Sequence, residues 1–320
     1  MTVAVARRPA LLLAVGVVGL EFAAAVSTFV SATLLPTVAR ELGARDHLAL
    51  LLAGSTIGLF VALPLAPAVL GRLGPARTLS IGLVGYVGGA LAAAAAPDGW
   101  VFAAGRLAGG IGGGLLAVFG VSAVIRHLDG PLRVKVVAAS SAMWIVPAFV
   151  GPPGTLALEH AVGWRLTLLA PVPIVLAGRV LVLRAARGAA GGGAARRPAG
   201  RTLLVPVGVG VLVLTSTEGR WWPLTAAGAL LALVGVVRIM PPGTGRARRG
   251  TPAALAAMTL FATGYFGADS LITIMLTDGY GTSVARAAVV LSGAPLAWAL
   301  TSLLVPRLMR GGRRPPAAGG

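Results

Sequence analysis

Glu21, Arg106 and Asp269 are ionisable side chains inside long apolar runs of this chain. A charge at mid-bilayer costs about 2.5–3.5 kcal/mol on insertion scales, so each needs a partner or a task. A carboxylate and a guanidinium so placed can pair, or can trade a proton or a charged ligand. Glu21 lies about 12 residues into its run, ~18 Å along a helix. Arg106 lies about six residues from the far end of its own, ~9 Å in, so in a ~30 Å core the two are expected at similar heights. Helical spacing puts Glu21, Ala24, Ala25, Thr28, Ser31 and Ala32 on one small and polar face. Arg106, Gly109, Gly110, Gly113 and Ala117 form a second. Such faces suit close helix contact or a wet cavity, with Thr28 and Ser31 as cavity-lining candidates. Glu21 and Arg106 therefore read either as a proton- or substrate-coupling pair or as a static ion pair joining two helices. Asp269 is about 17 residues into its run, ~26 Å along, near the opposite headgroups. An interfacial aspartate and a proton-binding one are both open there. Trp144 reads as a cavity wall for an aromatic or cationic ligand, or as packing.

Other chemistry finds little support. The chain has no cysteine, and its three histidines, His47, His127 and His160, fall in different gaps between the apolar runs, so no metal site is expected. No acid pair or nucleophile–base set stands out, so no enzyme and no cofactor are expected. The glycine run at 109–114 lacks the Lys-Ser/Thr of a phosphate loop and a preceding strand, and predicts close helix packing instead.

The elements that must hold these residues are membrane helices. Near-uncharged runs fall at 11–36, 48–70, 78–96, 100–125, 136–157, 166–184, 203–217, 221–240, 252–276 and 287–306. Most approach the ~20 residues that cross ~30 Å of hydrocarbon, where the backbone must close its own hydrogen bonds. Hydrophobic residues make up 57% and charged residues 11%, against about 25% charged in soluble domains. The fold class expected is an all-α polytopic membrane protein of about ten transmembrane helices. With the N-terminus inside, alternate gaps and helix ends collect 21 of the 27 basic residues, and five lie outside. Glu41, Asp46, Asp98, Glu159, Glu218 and Asp278 fall outside, and Asp129 inside. Both termini are thus expected in the cytoplasm. The net charge of +18 is explained by loops facing anionic lipid rather than by nucleic acid. Arg, Ala, Gly and Pro predominate, as in a GC-rich bacterial genome, so the plasma membrane is the expected location. The run at 203–217 is the shortest and could be re-entrant.

The first six runs carry an ordered set of motifs: ATLLPTVARELG at 32–43, GRLGPAR at 71–77, RLAGGIGG at 106–113, VPAFVGPPG at 146–154 and WRLTLLAPVP at 164–173. Together they resemble the N-terminal lobe of a major facilitator superfamily transporter, nearest to its drug:proton antiporter branches. The resemblance implies a gating loop with Arg72, Gly74 and Arg77, and an antiporter-motif kink at Gly151, Pro152, Pro153 and Gly154. Gly71 replaces that loop's usual acid, Pro67 an upstream glycine, and Gly109 a glutamine. The expected organisation is a six-helix lobe over 1–185, a cytoplasmic linker over 186–202, two short inserted helices over 203–240, and a second linker over 241–251. The first two helices of a second lobe follow over 252–308, and a tail over 309–320. On this reading the chain is of the 14-helix type, with an incomplete second half that lacks the last four helices. The implied function is a secondary active transporter, with proton-coupled efflux of small amphipathic or cationic compounds by alternating access. Its partners would be the lipid bilayer, a small-molecule substrate and protons, with a homo-oligomer or a complementing partner also open. A ten-helix drug/metabolite exporter and a truncated, transport-inactive membrane protein stand as the alternatives.

Overall fold

The computed structural model describes residues 2–44, 47–186, 203–215 and 219–283, with isolated positions between 286 and 301. These residues are helical throughout, with short turns and no strand among them. The chain is an all-α polytopic membrane protein. The helices are α1 (Thr2–Glu41), α2 (Leu48–Ala94), α3 (Gly99–His127), α4 (Gly130–Ala142), α5 (Ile145–Thr167), α6 (Val172–Ala186), α7 (Leu204–Thr215), α8 (Trp222–Ile239) and α9 (Thr251–Ile274).

The 47 residues of α2 would make one helix of ~70 Å, more than twice a ~30 Å core. Its packing on α3 shows that it is two limbs. In the first limb, a Cβ built on Gly54 would lie 2.9 Å from the Ala103 carbonyl oxygen. Further along, Gly58 abuts the backbone of Leu107 and Ile111, and a Cβ on Gly114 would lie 2.6 Å from that of Ala62. Both series climb together, so this limb runs parallel to α3. In the second limb the order inverts: Gly82 meets Leu116, Gly89 meets Gly109, and Ala93 meets Gly105. That limb runs antiparallel to α3. The reversal falls at Gly74, whose φ of 75° and ψ of 173° break the helix. Glycine takes a positive φ without the Cβ penalty. Pro75 then opens the second limb with the φ a first helical turn needs. The Thr78 hydroxyl donates to the Gly74 carbonyl at 2.8 Å and closes the turn. The gap expected at 71–77 is thus a single tight turn.

The same logic orients the other helices. Gly178 of α6 packs on Gly16 and Leu20 of α1, and Gly16 also packs on Val182, which makes the two antiparallel. In α5, Gly151 meets Phe29 and Trp164 bonds Glu41, so α5 runs with α1. Most of the buried core lies in two tiers, with a smaller cluster at Ala62, Ala66 and Leu115. One holds Leu13, Val17, Leu79, Leu116, Phe119 and Val182. The other holds Leu34, Val38, Leu51, Ala93, Phe102 and Trp164. Each tier draws on one end of the helices, as alternating passes require. Asp98 caps α3 by accepting from the Trp100 and Val101 N–H groups at 2.9 Å.

The fifth pass is made of α4 and α5. The backbone stays helical through Gly151, Pro152, Pro153 and Gly154. The interruptions lie at Met143–Trp144, between α4 and α5, and at Gly163, with φ 78°. Pro147 is the physical reason for the first. Its ring cannot continue a helix from four residues back, but it fits the opening turn of a new one. Beyond the sixth pass, α7 and α8 form an antiparallel hairpin. Gly208 packs on Gly228 and Ala232, Gly235 on Val205, and the Thr215 and Thr225 hydroxyls share a hydrogen bond of 2.9 Å.

Gly110→Val and Gly112→Val should therefore force α3 off one limb of α2 each. The expected loss is about 1–3 kcal/mol or more, seen as aggregation at lower temperature in detergent. Gly88→Val, where a Cβ meets no atom within 4 Å, should be tolerated. Equal loss in all three would contradict the packing described.

Candidate functional site

Among the described residues, Glu21 and Arg106 each anchor a set of polar groups inside the membrane. Glu21, half-buried on α1, accepts a hydrogen bond from the Trp144 indole at the start of α5. That indole is 38% exposed, so its ring is available to a ligand as well as to the carboxylate. The break at Met143–Trp144 is what places it there, and Pro147 is the residue that makes the break.

The second set is a string of polar contacts across four passes. Arg106 on α3 donates from Nη2 to the Ser55 hydroxyl at 3.1 Å, on the first limb of α2. Its other electrostatic neighbour is the Tyr86 phenol on the second limb, which in turn hydrogen-bonds with Ser27 of α1. The glycine contacts make this possible. Because Gly110 rests on the Ser55 backbone and Gly112 on that of Tyr86, both limbs come close enough to reach one guanidinium.

Glu21 and Arg106 do not form the ion pair their matched depths suggested. Ser27, which reaches Arg106 through Tyr86, is six residues beyond Glu21 on α1. That is ~9 Å along and ~120° around the helix. Depth alone could not report this rotation. The expected face of α1 is also divided: Ala24 and Thr28 are exposed, whereas Ala25 is fully packed. The Thr28 and Ser31 hydroxyls bond back to the Ala24 and Ser27 carbonyls at 2.9 and 2.7 Å, which occupies their protons. Arg72 and Arg77 flank the Gly74 turn with exposed side chains. The side chain of Asp269 lies outside the described residues. Ser27, Ser55 and Tyr86 escaped the sequence reading. A lone tyrosine within the glycine-rich stretch 82–89 was the available signal.

A third polar cluster closes one end of the bundle. The Trp164 indole donates to Glu41 Oε2 at 2.6 Å. Arg165 lies over the Trp164 ring, 4.5 Å from its centroid, and donates to the carbonyls of Ala94 and Ala96 at 2.8 and 2.9 Å. A guanidinium here satisfies the open carbonyls at the end of α2 and complements its dipole. The ends of α1, α2 and α5 are joined by these two adjacent side chains.

The profile of the Major Facilitator Superfamily matches residues 17–320. The chain belongs to this superfamily. Two curated proteins, from two strains of Mycobacterium tuberculosis and each described as a probable multidrug-efflux transporter, are 30% identical over 226 residues. The alignment takes in 67% of this chain and 48% of each relative, so the chain spans about half the length of the relatives it matches. Two solved structures share the fold at 15% identity. One, with a TM-score of 0.58 over 95% of this chain and 69% of the other, is the proton:xylose symporter XylE bound to 6-bromo-6-deoxy-D-glucose. The second is a D-xylose–proton symporter, at 0.52 over 94% and 69%. Membership sets aside the five-plus-five carrier architecture and marks the chain as a transporter-family protein rather than an enzyme.

The Glu41–Trp164 bond predicts energetic coupling between α1 and α5. A double-mutant cycle of Glu41→Ala and Trp164→Phe should show an interaction of about 1 kcal/mol in thermal unfolding. Strict additivity would mean that the contact holds nothing.

Proposed function

We propose that this chain is a proton-coupled efflux transporter of the major facilitator type, acting on small amphipathic or cationic compounds by alternating access. The observation that carries this reading is the Glu21 carboxylate: it stands in the first membrane pass, bonded to an indole rather than neutralised by Arg106. A carboxylate so placed can hold either a proton or a cation, and exclusive occupancy of one site couples the two fluxes. Trp144 adds an aromatic face on which a cationic ligand can rest. The Mycobacterium tuberculosis relatives support the direction of transport.

The six passes up to residue 186, tied together by the α2–α3 contacts and the Trp164–Arg165 cluster, act as one rocking lobe. The division at 186–202 and the separate role of the α7–α8 hairpin belong to this reading. So does a cytoplasmic placement of the Gly74 turn and of both termini, supported by the sorting of arginine along the chain. The motifs at 32–43, 71–77, 106–113, 146–154 and 164–173 support a position near the drug:proton antiporter branch.

Reconstitution into proteoliposomes with an imposed pH gradient tests the reading. Wild-type chain should move a lipophilic cation such as ethidium against its gradient. Glu21→Gln should abolish gradient-driven flux while the vesicles still bind the dye. Proton-driven flux unchanged in Glu21→Gln would remove this carboxylate from the coupling step.

A further inference from the structure

We propose that Trp144 is a positioning residue: its indole ties the joint between α4 and α5 to the charge on Glu21, so that neutralising the carboxylate frees α4 to swing. The inference rests on the reading of Glu21 as a group that exchanges a proton for a cation. The two helices meet at Met143–Trp144. The Met143 N–H closes α4 on the Ala139 carbonyl at 3.0 Å. The Trp144 carbonyl opens α5 by accepting from the Ala148 N–H at 3.2 Å. Pro147 has no N–H to offer the Met143 carbonyl four residues back, so the ladder bond that would stiffen this joint is missing. Such a gap in the ladder is where a helix bends.

The two sides of the joint are held unequally. The α5 side buries Pro147, Ala148, Thr155, Trp164 and Thr167. In α4, Val136 is the one buried side chain among the described residues, and Val134, Lys135 and Val137 are exposed. By this measure α4 is the arm that moves and α5 the post. At the joint itself, the indole donates to the Glu21 carboxylate on α1. That bond fastens the joint to a helix outside the pair. An N–H holds a charged acceptor about twice as strongly as a neutral one. Once Glu21 carries a proton or faces a bound cation, that advantage is lost. A ligand resting on the exposed indole face acts on the same bond from its other end.

Pulsed electron–electron distance measurement on the full chain in lipid nanodiscs tests the joint. Labels on Val134→Cys and Val150→Cys, both exposed, span it at ~24 Å along a continuous helix. Labels on Val146→Cys and Val162→Cys, also exposed, repeat that spacing within α5 and serve as the reference. In the spanning pair, Glu21→Gln should raise the population of a second distance about tenfold, the scale that separates a charged acceptor from a neutral one. Trp144→Phe keeps a ring and loses the N–H; it should give the same second distance, and the double variant should add nothing further. The α5 pair should not change. A ring that only fills space would leave Glu21→Gln at the wild-type distance, and that result would overturn the proposal. Additive changes in the double variant, or an equal change in the α5 pair, would overturn it too. Should Trp144→Phe not survive purification, Glu21→Gln against wild type decides alone. Flux keeps the two readings apart. A shifted distance with proton-driven flux intact ends the coupling role of Glu21 and leaves the joint standing. A fixed distance with flux lost overturns the joint and leaves the coupling role.

Discussion

The structure depends on backbone-to-backbone contact between α3 and the two limbs of α2. Lipid tails are as apolar as leucine, so helices in a bilayer gain little from burying apolar surface against each other. What remains is close packing, whose many small dispersion terms require short distances. The stretch GGIGGG at 109–114 supplies those distances on two sides at once. Gly110 and Gly114 face the first limb, and Gly112 faces the second. A side chain at any of these three would drive the passes apart.

That contact also builds the site. With the limbs drawn in, Ser55 and Tyr86 reach Arg106 from either side, and Tyr86 carries the connection to Ser27 on α1. The guanidinium is thereby tied into the packed lobe. Glu21 is held differently, by the indole at the head of α5. One polar group is thus locked within the three-helix core, and the other rests on a junction between helical segments. In the proposed function Glu21 changes partners, and such a junction suits that better than a glycine-packed core.

Much of this was legible in the sequence. Apolar run length pointed to membrane-crossing helices, since it follows from the cost of open backbone in hydrocarbon. The glycine run read correctly as packing. The pairing of Glu21 with Arg106 did not survive, because counting residues gives depth but not the rotation about each helix axis. The interruption at Met143–Trp144 was not legible, because Pro147 is a less conspicuous signal than the Gly-Pro-Pro-Gly that follows it. Gly74 and Pro75 were legible as a loop motif, but not as a one-residue reversal. The bonds of Trp164 and Arg165 join segments more than sixty residues apart, and no local pattern announces them.

The whole arrangement requires α2 to be a hairpin folded at Gly74 and clasped by α3. The chain has no native cysteine, so spin labels can be placed at will. Leu48 and Leu91 are both partly exposed and stand near the two ends of α2. Pulsed electron–electron distance measurement between labels on Leu48→Cys and Leu91→Cys should give about 35 Å or less, some three helix diameters. A distance near ~65 Å, the length of an unbroken helix between these positions, would contradict the account.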